Sequence, residues 1–190
     1  MGLTGWIVIG VVVLLALWGV AIYNGLVRLR ALVREGFSGI TVQLRRRADL
    51  IPNLVSTVEG YATHEREVLD QVTAHRADAT SAGGVAATAQ ADAAFSGMLG
   101  RLMVVAEAYP DLKADANFRQ LQEELSDIEE HLQSARRYYN ATVRDLNTKI
   151  QSFPNVLIAG PMGFKEEESY TDADASIQSA PKVSFGAAKA

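Results

Sequence analysis

The chain is predicted to be all-α: an N-terminal transmembrane helix running into an antiparallel four-helix bundle, followed by a disordered C-terminal tail. Three observations carry this reading. Residues 1–27 contain no charged side chain. Beyond them, apolar residues recur in steps of three and four over several long runs, the spacing of a single helix face. No stretch alternates apolar and polar residues over the length of a strand.

The first element is the anchor, residues 1–27. Its centre, Trp6 to Tyr23, reads WIVIGVVVLLALWGVAIY. A helix over Leu3 to Tyr23 rises about 31 Å, close to the thickness of a bilayer's hydrocarbon core. Lipid offers no partner to backbone groups, so an open segment crossing it must be a helix. A secretory signal would carry a basic leader and a shorter apolar core, and no Lys or Arg precedes this one. Trp6 stands where a myristoylation signal needs Ser or Thr. Arg28, Arg30, Arg34 and Arg45 to Arg47 follow the apolar run. Positive flanks stay in the cytoplasm. The expected topology is therefore single-pass, with the N-terminus outside and a cytoplasmic domain. Trp6, Trp18 and Tyr23 suit the membrane interfaces, and the arginines suit anionic lipid.

Residues 28–164 form the expected cytoplasmic bundle. Leu26, Leu29, Val33, Phe37, Ile40 and Leu44 continue the helix without a break, in a coiled-coil-like stepping. Pro52, in Asp49-Leu-Ile-Pro-Asn-Leu54, removes a backbone donor and disfavours helix at Ile51. It marks either the first turn between helices, the preferred reading, or a kink in a continuing one. The second helix then takes Leu54, Val58, Tyr61, Glu65, Val68, Val72 and Ala79 as its stripe, and Gly83-Gly84 stops it. A third helix carries Phe95, Leu99, Leu102, Ala106 and Tyr109, and Pro110 ends it. The fourth is the most regular, from Phe118 through Leu121, Leu125, Ile128, Leu132, Ala135 and Tyr139 to Val143, Leu146 and Ile150. Acidic residues crowd its first half and basic ones its second, which suits the helix dipole. Phe153 to Phe164 is apolar and is expected to fold back over an end of the bundle. Residues 165–190 are small, polar and acidic, the composition of a flexible tail, with Val183 to Phe185 as a short docking piece.

The search for chemistry returns no catalytic, cofactor-binding or metal residues. The chain has no cysteine and a net charge of −4. That excludes disulfides and thiol catalysis, and no basic face suggests nucleic acid. His64-Glu65-Arg66-Glu67-Val68 starts like a zinc-protease motif but lacks its second histidine. Ile128 precedes His131 by three, and Tyr61 precedes His64, so a di-iron bundle pattern fails as well. No phosphate loop is present. The chain is expected not to be an enzyme, with no cofactor.

Several phrases do stand out together. They include Tyr23-Asn24-Gly25-Leu26-Val27-Arg28, Arg47-Ala48-Asp49-Leu50-Ile51-Pro52-Asn53-Leu54-Val55 and Gly60-Tyr61-Ala62-Thr63-His64-Glu65. Further on come Glu107-Ala108-Tyr109-Pro110-Asp111-Leu112-Lys113, Ala135-Arg136-Arg137-Tyr138-Tyr139-Asn140 and Asn147-Thr148-Lys149-Ile150. In these phrases the chain resembles the bacterial LemA family, from the anchor to about Phe164. The resemblance implies a single-pass protein of the bacterial inner membrane with an outward N-terminus and a helical cytoplasmic domain. It brings no activity and no catalytic residues. One departure is Gly36-Phe37, where the family usually has alanine and often tryptophan.

Asp49, Pro52 and Asn53 at one expected turn, and Tyr109, Pro110 and Asp111 at another, fall at the same membrane-distal end of an up-down bundle. They either fix the turns or form an interaction patch. The expected function is a self-associating scaffold or interaction module, with the lipid bilayer and further copies of the chain as partners. The alternatives are an accessory or sensor of a membrane protease or envelope-stress system, with a membrane protein partner, and an enzyme with an unrecognised site.

Overall fold

Leu3–Glu59 form one uninterrupted helix, α1, in the computed structural model of the chain, which describes residues 2–62 and 64–171. The elements that follow are α2 (Arg66–Ser81), α3 (Val85–Glu107), α4 (Pro110–Ala114), α5 (Ala116–Gln151) and α6 (Val156–Ala159). Among the described residues there is no strand. The N-terminal part of α1 is long and apolar enough to cross a membrane, and among the described residues nothing buries it. Leu14, Leu17 and Trp6 are among its exposed side chains.

The first turn expected at Pro52 is not there, because α1 runs through it. Proline inside a helix costs about 3 kcal/mol, since it leaves the carbonyl four residues earlier unpaired and crowds it. Here Ile51, Leu54 and Val58 lie fully buried along one stripe of α1. Burying each such side chain contributes roughly 1.5–3 kcal/mol, which outweighs the local cost. Leu54 and Val58 thus finish the first helix instead of opening the second. The turn comes at Gly60, where the Tyr61 and Ala62 N–H groups donate to the Val58 carbonyl at 3.0 and 2.8 Å.

The connections after it have local causes. Gly84 takes φ +84° between α2 and α3, a left-handed conformation that side chains resist. Pro110 does not stop structure but starts it, standing at the first position of α4. Asp115 caps α5 by accepting the Phe118 N–H at 2.9 Å, and that bond holds its carboxyl below the ordinary range.

Helix α1 packs along α5, α2 along α3, and the distal half of α1 along α2. Helix α5 runs antiparallel to α1, so Gly36 meets Tyr139 while Arg47 meets Glu129. A methyl group at Gly36 would sit 3.1 Å from Tyr139 Cα, so glycine here admits a close helix approach. The core divides in two. Near the anchor, Ile22, Leu26, Val33, Ile40 and Leu44 pack on Leu132, Tyr139, Val143, Leu146 and Ile150. Away from it, Ile51, Leu54 and Val58 pack with Leu69, Val72, Phe95, Leu99, Leu102, Phe118 and Leu121.

After α5 the chain folds back as expected, but only half covers itself: Ala159 and Phe164 are buried, whereas Phe153, Leu157 and Met162 are exposed. The reading of a flexible tail from residue 165 needs correction at its start. Gly163 turns the chain at φ +75°, and residues 165–171 run back along α5 as a hydrogen-bonded strap. The docking reading for Val183 to Phe185 lies outside the described residues.

Candidate functional site

Between the two apolar cores lies a layer of buried charge. Asp92 of α3 is 1% exposed. Its Oδ1 accepts from Arg47 of α1 at 3.1 Å, and its Oδ2 accepts from Arg136 of α5 and, at 2.8 Å, from the Tyr170 hydroxyl of the strap. Arg47 also donates to Ser96 at 3.0 Å and approaches Glu129 at 3.6 Å. Arg136 stands 3.9 Å from Glu129. Two guanidinium groups therefore face two carboxylates. The pairing is what permits burial, because a lone buried charge costs several kcal/mol. The arginines also lie over aromatic faces, Arg47 over Phe95 at 5.3 Å and Arg136 over Tyr170 at 5.5 Å.

The sequence places these groups by simple stepping. Arg47 falls on the stripe of Ile40, Leu44, Ile51 and Leu54, where an apolar residue is expected. Asp92 is the only acid in the apolar, alanine-rich run of α3 before its final residue, Glu107. Both signals were readable, since a charge on a core stripe needs a partner. The partner's identity needed the fold.

The strap is held by two asparagines two helical turns apart on α5. Asn147 donates to the Glu167 carbonyl and accepts the Glu167 N–H, both at 2.9 Å. Asn140 does the same for Tyr170 at 2.9 and 2.8 Å. A side-chain amide carries the same donor and acceptor as a peptide group, so each asparagine pairs a strap residue as a neighbouring strand does. The Tyr139 hydroxyl adds a bond to the Glu168 carbonyl at 2.7 Å. Burial, then Glu167 and Glu168, push the Tyr139 phenol up to about 12. Burial, followed by Asp92, raises Tyr170 further still.

The six residues expected as an interaction patch fall in two groups, Asp49, Pro52 and Asn53 on α1, and Tyr109, Pro110 and Asp111 at the start of α4. Asp49, Pro52 and Asn53 are exposed on α1, short of its end, and Asp49 lies 3.9 Å from Arg76. Pro110 and Asp111 are exposed on α4, while Tyr109 is half-buried with its hydroxyl 3.4 Å from Glu65. Among the described residues no hydrogen bond or ion pair joins the two groups. His64 and His131 are exposed, and His75 stands 3.9 Å from Asp78. Among the described residues no group of three or more His, Cys, Asp or Glu is placed to hold a metal ion. An open groove of about 390 Å³ lies between α3 and α5 beside the charge layer, lined in part by Ser96, Met103, Gln122 and Glu129.

Chemically, the layer is a lock. Asp92 engages both oxygens with three donors from three different elements, tying α1, α3, α5 and the strap at one level. Comparison with known proteins adds a lineage. The profile of the LemA family matches residues 36–185. Magnetosome protein MamQ 2 of Paramagnetospirillum magneticum is 25% identical over 176 residues, covering 79% of this chain and 65% of that protein. Magnetosome protein MamQ of Magnetospirillum gryphiswaldense is 25% identical over 174 residues, covering 78% and 64%. Protein LemA of Metamycoplasma hominis is 28% identical over 135 residues, covering 68% and 60%. The chain thus spans just under two thirds of the length of the MamQ relatives and 60% of the other.

Proposed function

The chain belongs to the LemA family, and we propose from that premise that it is a membrane-anchored, non-enzymatic helical scaffold that associates with further copies of itself. The observation that carries this is the continuity of α1. A helix of 57 residues rises about 86 Å, from the apolar span to the far end of the helical domain. A flexible linker would let the domain tumble, whereas a continuous helix sets its height and angle on the membrane. The Asp92 layer then fastens α3, α5 and the strap to the same rod. Fixed geometry on a surface is what lateral assembly requires. Two of the relatives are named for a cellular structure, the magnetosome, and not for a reaction. The basic residues from Arg28 to Arg47 favour a cytoplasmic domain with the N-terminus outside.

A second reading, an accessory or sensor of a membrane protease or envelope-stress system, is favoured by one feature. Asp49, Pro52, Asn53, Pro110 and Asp111 are all exposed, away from the anchor, where a partner could reach them. Cross-linking in intact cells separates the two. Adducts at whole multiples of the chain's own mass support the scaffold. A single adduct to one different protein supports the accessory reading and overturns self-association.

A further inference from the structure

The chain has a second apolar element beside its span. From Ile150 to Phe164 no residue is charged, and Lys149 and Lys165 bracket the run. Its inner side is accounted for: Ala159 and Phe164 join the core near the anchor. Its outer side is not, because Phe153 is 79% exposed, Leu157 65% and Met162 59%, with Val156 also exposed. Four large exposed apolar side chains within ten residues point to a contact with a membrane or another protein.

Its height decides which. A methyl group added at Gly19 would lie 3.9 Å from Ile158 Cδ1. Phe164 packs edge-on to Tyr23 with ring centres 5.6 Å apart, and the Arg30 guanidinium lies over the Phe164 ring at 4.9 Å. Gly19 lies about 6 Å deeper along the span than Tyr23. The α6 turn therefore stands level with the last turn of the apolar helix, at the depth where headgroups meet acyl chains.

We propose that residues Phe153–Met162 form a second, non-spanning membrane contact, inserting Phe153, Val156, Leu157 and Met162 into the interfacial region of the same leaflet that the span leaves. The occupant is lipid, since Ile158 and Phe164 seat this segment against Gly19 and Tyr23, in the last turn of the apolar span. Interfacial elements of this kind bury their apolar side roughly 5–10 Å into the headgroup and acyl boundary. The bracketing lysines can extend their stems along it and keep their charges in water. A span with one lateral foot is held in tilt and rotation, which a lone helix is not. The proposal rests on α1 crossing the bilayer.

Tryptophan quenching in vesicles tests it with the full chain. The vesicles mix phosphatidylglycerol with phosphatidylcholine brominated near the headgroup end of the chains. One variant, Trp6→Phe, keeps Trp18 as the reporter of the span. A second carries Trp6→Phe, Trp18→Phe and Leu157→Trp, and a third places the tryptophan at Met162 instead. A fourth, with His131→Trp, reports the distal domain. The proposal expects emission loss at 157 and 162 comparable with that of Trp18, with a blue shift, and no loss at 131. Quenching of Trp18 without quenching at 157 and 162 overturns the proposal and leaves the span standing, whether those sites face water or a second copy. No quenching of Trp18 overturns the span itself, and the proposal with it.

Discussion

Arg76 Nε donates to the main-chain carbonyl of Ala48 across 2.8 Å. That carbonyl is the one that residue 52 would pair if it were not proline. A side chain from α2 therefore fills the gap that Pro52 leaves in α1, and it also approaches Asp49 at 3.9 Å. Asp49, Pro52 and Asn53 read in sequence as a turn. In the fold they are the place where α2 is received onto an unbroken rod.

This relationship predicts coupling. Pro52→Ala restores a helical N–H at an exposed position and should stabilise the domain by about 1–3 kcal/mol, less the looser unfolded chain. Arg76→Ala should cost about 1–2 kcal/mol in the native background and clearly less beside Pro52→Ala, because the restored N–H at position 52 then pairs the Ala48 carbonyl itself. Thermal unfolding of the four chains in detergent measures the cycle. Strict additivity would show that Arg76 does not serve the proline gap.

The charge layer predicts a large single effect. Asp92→Ala leaves Arg47 and Arg136 with Glu129 as the layer's remaining carboxylate, and breaking a buried pair in this way costs roughly 3–5 kcal/mol. Tyr170→Phe removes one donor to the carboxylate and leaves both arginines paired, so it should cost less, about 1.5–3 kcal/mol. The order of the two melting temperatures checks the assignment. Equal losses would place the weight on the strap and not on the arginines.

The strap should open in alkali. Tyr139 is shifted up to about 12, and Tyr170 is shifted in the same direction. A group whose folded pKa is raised contributes stability that is complete below its unfolded value, near 10, and is lost as pH climbs through the folded value. Stability should therefore fall between pH 10 and 12, together with protection of the Glu167 and Tyr170 amides from hydrogen exchange. The paired change Tyr139→Phe and Tyr170→Phe should flatten that fall. An unchanged slope in the double variant would contradict the assignment.

Topology has a direct check. Cysteine introduced at Thr4 should react with an impermeant maleimide on whole cells, and cysteine at Gly83 should react only after lysis. Both positions are exposed on the chain, so burial would not mask either result. The reverse pattern would invert the orientation.

Much of this fold could be read from spacing. The stripe from Phe118 to Ile150 is α5, and Gly83-Gly84 does separate α2 from α3. Helix faces are legible because one period repeats over many residues. Pro52 misled because a local cost was read without the distant group that offsets it. Leu54 and Val58 read in sequence as the start of the second helix, and in the fold they finish the first. Asp92 and its partners were missed because the pairing spans α1, α3, α5 and the strap, and no local pattern links them. The strap was hidden by composition: Glu166, Glu167 and Glu168 look solvated, and the bonds that hold the segment use its backbone. Asn140 and Asn147 read in sequence as polar positions along the fourth helix, and in the fold their seven-residue spacing serves the strap.

The proposed scaffold is a rigidly mounted domain that assembles with its own kind. The particle mass of the full-length chain in mild detergent, with imaging of the same sample, tests it most directly. Large, regular particles built of this chain alone, which persist on dilution, are the expected result. A monodisperse single chain at micromolar concentration would contradict it.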